Sequence, residues 1–369
     1  MEEQKSKQLY LAGQEYYLAG ECSKAIESLT KAIEIQPTNT KALNLRGVCL
    51  NEISEFEEAL ADYNSVLKIT ELDHECLNNK AIALNNLCKY QEAIECSNSS
   101  IKIEPNNHNY YLTRAIAFFN SSRLDLAKND LKKCTSLGGK DPQCYELLSD
   151  LHGKSNRNEL ALVCLDRAIN LLNEEDNSDE EEYKIELLTK RGLILNNLTQ
   201  FEKAKTSLYK TLELNVKNTS AWLNLATAQL NLLEYKEALV SLNKVHQLDP
   251  KNETLYDLRA KVFNNLGKYQ EAIQDLEYLL ELNPKSPIFH ARSGLCWNNL
   301  AKFNKALICV NKALELDQDC VMALNNRALV CINLGLLKNA KIDLEKAQLL
   351  DPKNIITKIN LQTLHKKFK

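Results

Sequence analysis

Apolar side chains recur along this chain at steps of three and four, as in Ala272, Ile273, Leu276, Leu279 and Leu280. A neighbouring stretch shows the same stripe in Trp222, Leu225, Ala226 and Leu230. Such steps place side chains on one face of a helix, and no sustained period-two alternation predicts a strand. The stripes themselves repeat. Ala25, Ala59, Ala93, Ala127, Ala161, Ala204, Ala238, Ala272, Ala306 and Ala340 stand 34 residues apart, with nine extra residues between Ala161 and Ala204. A fixed period of this length predicts stacked helical units rather than one globular core.

With each unit numbered 1 to 34 and the recurrent alanine at 20, the units begin at Ser6, Thr40, His74, His108, Pro142, Ile185, Thr219, Glu253, Pro287 and Val321. Position 8 holds only small residues: Gly13, Gly47, Ala81, Ala115, Ser149, Gly192, Ala226, Ala260, Gly294 and Ala328. These two columns predict antiparallel helices over positions 1–14 and 17–31, with positions 8 and 20 facing each other where the backbones approach. Position 17 is often aromatic (Phe56, Tyr90, Phe201, Tyr235, Tyr269, Phe303) and opens the second helix. Proline at position 32 (Pro37, Pro105, Pro250, Pro284, Pro352) stops it. Asparagine fills position 13 in seven units (Asn86, Asn120, Asn197, Asn231, Asn265, Asn299, Asn333), where it suits the capping geometry of the first helix end. The fold class is all-α, an α-solenoid of ten helix–turn–helix units.

Two runs, LNNLCKYQEAIECSNSSIKIEPNN and FNNLGKYQEAIQDLEYLLELNPKS, carry these columns together. They resemble the tetratricopeptide repeat, a 34-residue helix–turn–helix family, and the resemblance covers residues 6–354. It implies a right-handed superhelix whose first helices line a concave groove for peptides or helices of other proteins. Departures are mild: five units lack the proline, and Asn158 replaces the aromatic at position 17. The expected organisation is repeats 1–5 over 6–175, an acidic inter-repeat loop over 176–184 and repeats 6–10 over 185–354. A C-terminal capping helix over 355–369 is expected to cover the last unit with Ile355, Ile356, Ile359 and Leu364.

Composition works by exclusion. A net charge of −3 makes no electrostatic case for binding nucleic acid or an anionic membrane. No apolar stretch is long enough for membrane insertion. The start MEEQKSKQLY lacks the apolar core of a secretion signal and the arginines of a presequence, so the expected location is the cytoplasm, with cilium or cytoskeleton as the alternative. Twelve cysteines include no CxxC. Cys96, Cys164 and Cys309 share position 23, Cys49 and Cys296 share 10, and Cys76 and Cys144 share 3. That regularity reads as buried or half-buried reduced thiols. No cofactor, metal site or catalytic group is expected. The acidic run NEEDNSDEEE, Asn173 to Glu182, reads as a solvated loop. Ser178, followed by four acidic residues, is its regulatory candidate, an acceptor for an acidophilic kinase whose phosphate would alter a basic partner's affinity.

The resemblance also implies that positions 2, 5, 9 and 12 of each first helix face the groove, a spacing that makes one stripe. Position 5 carries no lysine or arginine, which disfavours a chaperone-linked adaptor gripping a C-terminal carboxylate. Position 9 is mostly aliphatic. The candidate groove residues are Asn44, Val48, Asn78, Ile82, Leu112, Ile116 and Phe119 in units 2–4, then Asn224, Leu295, Asn325 and Leu329 in later units, with Ile288, Met322 and Ile332 extending the apolar stretch. They suit a peptide or amphipathic helix of another protein. The expected function is a non-catalytic protein–protein interaction scaffold or adaptor. The alternative is a permanent structural subunit of a large ciliary, cytoskeletal or organelle complex.

Overall fold

The computed structural model describes residues 2–174 and 181–368. It divides into two compact units, Met1–Glu180 and Glu181–Lys369. Among the described residues every regular element is an α-helix. The first unit pairs α1 (Glu2–Leu18) with α2 (Cys22–Ile35), and α3 (Thr40–Glu52) with α4 (Phe56–Ile69). Next come α5 (His74–Asn86) with α6 (Tyr90–Ile103), α7 (His108–Asn120) with α8 (Leu124–Ser136), and α9 (Pro142–Lys154) with α10 (Asn158–Glu174). The second unit pairs α11 (Glu181–Asn197) with α12 (Phe201–Leu214), and α13 (Thr219–Asn231) with α14 (Tyr235–Leu248). It continues with α15 (Glu253–Asn265) and α16 (Tyr269–Leu282), α17 (Pro287–Asn299) and α18 (Phe303–Leu316), then α19 (Val321–Asn333) and α20 (Leu337–Leu350), and ends on α21 (Ile355–Phe368).

The helices start and stop for local reasons. Asn39, Asp73, Asn107, Asp141, Asn218, Asn252 and Ser286 all occupy position 34, and each side chain accepts a hydrogen bond from an amide in the first turn of the next helix. Cys320 stands at the same place and caps nothing. Between paired helices the chain turns through a residue with positive φ at position 15 in every repeat: Gly20, Ser54, Cys88, Ser122, Asn156, Thr199, Leu233, Gly267, Ala301 and Gly335. The asparagines of position 13 are instead the last helical residues, so the left-handed cap sits two residues later than expected. The acidic segment is also shorter than expected. Helix α10 runs on to Glu174 and α11 begins at Glu181, making residues 181–184 helical rather than loop. Glu181 and Glu182 in that first turn complement the positive end of the helix dipole.

All ten alanines of position 20 are fully buried. The small residue at position 8, however, makes room for position 24 more than for position 20. A Cβ on Gly47 would lie 2.6 Å from Tyr63 Cε1, one on Gly192 2.5 Å from Leu208 Cδ2, and one on Gly294 2.5 Å from Val310 Cγ1. Only a carbonyl of position 20 comes near, as Ala306 O at 3.3 Å from the Gly294 site. Position 24 is thus the side chain that fills the space between paired helices, and it is fully buried in Leu29, Tyr63, Leu131, Leu165, Leu208 and Leu242.

A second lock alternates along the chain. Arginine fills position 7 of every even-numbered repeat: Arg46, Arg114, Arg191, Arg259 and Arg327. In four of these it grips an aspartate sixteen residues on, through two nitrogens at 2.7–2.9 Å: Arg46–Asp62, Arg114–Asp130, Arg259–Asp275 and Arg327–Asp343. The third nitrogen of Arg46, Arg114 and Arg327 reaches back to Thr30, Asn98 and Asn311 of the preceding repeat. The aspartates are buried, and hydrogen bonding to them raises the pKa of Arg46, Arg259 and Arg327. Each of these four arginines therefore ties its own helix pair together, and three tie it to the repeat before. Helix α21 closes the second unit through Leu364, buried against Ala328 and Leu344. Ile355, Ile356 and Ile359, expected to cover the edge with it, remain exposed.

Candidate functional site

Within each unit the first helices contact the first helices of neighbouring repeats: α1 with α3, α3 with α5 and α5 with α7, then α11 with α13, α13 with α15, α17 with α19 and α19 with α21. The second helices pack on first helices and make no comparable contact with one another. The row of first helices is therefore the more closely packed side of each stack, and its outward positions line the inner face.

In the first unit that face carries an apolar patch on α3, α5 and α7 among polar neighbours. Ile82 is 37% exposed, while Val48, Ile116 and Phe119 are half-buried, with Lys154 Nζ 4.2 Å above the Phe119 ring. Asn44 is half-buried and its Oδ1 accepts from Asn79 Nδ2 at 3.3 Å. Two candidates turn inward. Leu112 packs in the core with Phe118 and Leu131, and Asn78 is buried.

Many asparagines serve the scaffold. Position 12, expected to face the groove, holds Asn85 and Asn196, which instead donate to the carbonyls of Thr113 and Asn224 in the next repeat at 3.0 and 2.8 Å. Asn326 donates to Ala291 O at 2.9 Å. Asn325 is buried and donates to Thr357 Oγ1 at 2.9 Å, while Asn360 reaches its Oδ1 at 3.2 Å. Of the asparagine candidates, Asn44 and Asn224 stay partly open on the inner face.

The second unit holds a cavity of about 340 Å³ on this face. Ala260, Leu276, Leu295, Val321, Met322 and Ile356 form its apolar lining, and Leu329 lies half-buried on the same helix as Met322. Two cations also line it, Lys261 from α15 and Arg292 from α17. Both bond to Asp257: Lys261 Nζ at 2.7 Å from Oδ2, and Arg292 through Nη1 to Oδ1. Burial outweighs the shared carboxylate and pushes the Lys261 ammonium and the Arg292 guanidinium below their usual ranges. Lys261 stands at repeat position 9, read in the sequence for its aliphatic majority, and Arg292 at position 6, outside the expected groove stripe. Reading positions 6 and 9 for charge would have found both.

Models of the tetratricopeptide repeat match residues 10–74 and, separately, 254–286 and 323–354. Those segments are tetratricopeptide repeats. No curated protein matches it. Among solved structures it is similar to yeast Tom70 (15% identity, 99% of this chain and 88% of that one, TM-score 0.46). It is also similar to pilF of Pseudomonas aeruginosa (16%, 57% and 92%, TM-score 0.48). A third likeness is to MamA, from residue 41 to its end, of Desulfovibrio magneticus RS-1 (16%, 47% and 98%, TM-score 0.42). At such identities and scores these likenesses carry nothing about ligands. Tetratricopeptide repeats are in general protein–protein interaction scaffolds, and no enzyme family is indicated.

The remaining chemistry of this repeat protein is sparse. Among the described residues no group of His, Cys, Asp and Glu has the arrangement to hold a metal ion, and no helix is long and apolar enough to cross a membrane. The twelve cysteines are free thiols, seven buried and four half-buried. Cys88 departs from the expected burial because it occupies the position-15 turn, where its side chain is exposed. Burial raises the pKa of the thiols of Cys49 and Cys76 to about 12, which keeps them protonated and unreactive at neutral pH. Ser178 lies outside the described residues.

Proposed function

We propose that this chain is a non-catalytic scaffold that binds a helical or extended segment of a partner protein along the inner face of its first helices. The observation that supports this is the apolar surface left open there: Ile82, Val48, Ile116 and Phe119 in the first unit, and Leu295, Met322 and Leu329 in the second. Exposed apolar area in a row of this kind marks a surface that another chain covers. The reading expects a cytoplasmic location. Ile82 and Met322 are exposed enough (37% and 39%) for Ile82→Asp and Met322→Asp to leave folding intact. The full chain and these variants, used as bait in native extract, are expected to differ: proteins recovered by the parent chain fall away with the aspartates while helicity is unchanged. Equal recovery by both would overturn the proposal.

A second reading, a permanent subunit of a large assembly, has its own support. Val240, Ile308 and Ile342 share repeat position 22 on second helices and are 60%, 70% and 65% exposed. An apolar column on the outer face suits a chain enclosed on both sides. Co-fractionation of the whole cellular pool with a large complex, and poor stability when released, are the expected results.

A further inference from the structure

In two of the arginine–aspartate locks the guanidinium also lies between two aromatic rings. Arg114 stands 5.6 Å from the centre of the Tyr111 ring and 5.8 Å from that of Phe118, and Arg259 stands 5.1 and 5.9 Å from Tyr256 and Phe263. These rings occupy repeat positions 4 and 11. The first of each pair is anchored by a proline carbonyl: Tyr111 Oη donates to Pro105 O at 2.9 Å, and Tyr256 Oη to Pro250 O at 2.7 Å. Repeat 9 builds the same seat. His290 takes position 4, with Nε2 donating to Pro284 O at 3.0 Å, and Trp297 takes position 11. Position 7, however, holds Ser293. Every other repeat that follows a repeat fills position 7 with a long side chain, either arginine or Lys80, Leu148 and Leu225.

The seat lies in a cavity of about 540 Å³ between α16 and α18, floored by α17. In the corresponding groove of repeat 10, Arg327 and Asp343 form part of the wall. Here Ser293 lines the cavity at 3% exposure, and its Oγ has no hydrogen-bond partner. A buried hydroxyl in that state costs free energy until a ligand bonds it. Glu277 stands on the wall at position 25 of the preceding repeat, the place from which Thr30, Asn98 and Asn311 accept the third arginine nitrogen in the locks. Lys312 beside it is bonded to Glu315 at 3.0 Å, which leaves the Glu277 carboxylate for a ligand. It supplies the countercharge that Cys309, at the aspartate position 23, does not. Lys302 and Lys305 approach the Trp297 ring at 5.1 and 4.5 Å. A lysine there is compatible with a guanidinium, since Phe263 holds Lys268 at 6.0 Å together with Arg259.

We propose that this slot binds the guanidinium of an arginine side chain presented by a partner protein, stacked between His290 and Trp297 and donating to the Glu277 carboxylate and to Ser293 Oγ. The partner thus supplies from outside the group that even-numbered repeats carry themselves. The site belongs to the face of the second helices and is independent of the inner-face reading above.

The test follows Trp297 fluorescence in the full chain, with Trp222→Phe removing the other tryptophan. The probes are arginine, citrulline and lysine, each acetylated and amidated, at one ionic strength. A saturable change is expected with the arginine probe alone. Glu277→Gln, at an exposed position, is expected to weaken it about fivefold. Ser293→Arg with Cys309→Asp completes an internal lock, so the response should vanish while the urea midpoint rises. No response to the arginine probe, an equal response to citrulline or lysine, or binding indifferent to Glu277→Gln would overturn the slot. So would a full response in the double variant. Capture from extract that depends on Ile82 and Met322 is expected to survive the double variant, so either reading can fail without the other.

Discussion

At position 15 of every repeat the backbone enters the left-handed region, yet only Gly20, Gly267 and Gly335 supply the residue that does so freely. The other seven carry a side chain against the carbonyl, and the branched Thr199 is among the least suited. Thr199→Gly is expected to raise unfolding stability by about 1 kcal/mol, net of the entropy glycine adds to the unfolded chain. The shift should appear in the urea midpoint with an unchanged slope; a fall would show that no strain resides there. The three glycines sharing one column made this position legible in the sequence. The asparagine column two residues earlier drew the eye instead, because seven copies outweigh three although the side chain stays helical. The small residue at position 8 was likewise legible, but its true neighbour was not: which side chain fills the gap depends on how the paired helices rotate about their axes. Gly47→Ala is expected to cost about 1–3 kcal/mol through its overlap with Tyr63, and Tyr63→Leu in the same chain to recover part of that. Additive losses in that double-mutant cycle would contradict the contact.

At the scale of the element, the arginine–aspartate lock is what turns a helix hairpin into a defined pair. Its partners lie sixteen residues apart on two helices, a spacing that no single-helix periodicity reveals. Only the alternation of arginine at position 7 hinted at a two-repeat period. Arg259→Met would leave Asp275, 5% exposed, without its counter-ion. The expected loss is about 3–5 kcal/mol, read by denaturant unfolding, and a change under 1 kcal/mol would mean the pair is replaceable by packing. Helix caps offer a gain instead. Cys320 occupies the cap position of α19 without an acceptor, whereas asparagine at the same place bonds Ala221 N from Asn218 and Leu255 N from Asn252. Cys320→Asn is expected to stabilise by about 1 kcal/mol, with a raised thermal midpoint as the readout.

For the whole molecule, the architecture was almost fully legible, because a solenoid repeats one local solution and each copy restates the evidence for it. The binding face was legible only in part. Helical spacing assigns a stripe of positions, but whether Asn325 and Leu112 end in the core or Ile82 and Leu295 on the surface depends on packing between repeats. The cations of the second unit escaped notice because they stand on different helices, 31 residues apart in sequence and joined only through Asp257. Placing a photo-reactive phenylalanine analogue in turn at Ile82, Leu295, Val163 and Ile308 of the full chain, then irradiating cells, tests the groove most directly. The account predicts protein adducts from Ile82 and Leu295 on the first helices. Adducts confined to Val163 and Ile308 on the second helices would contradict it.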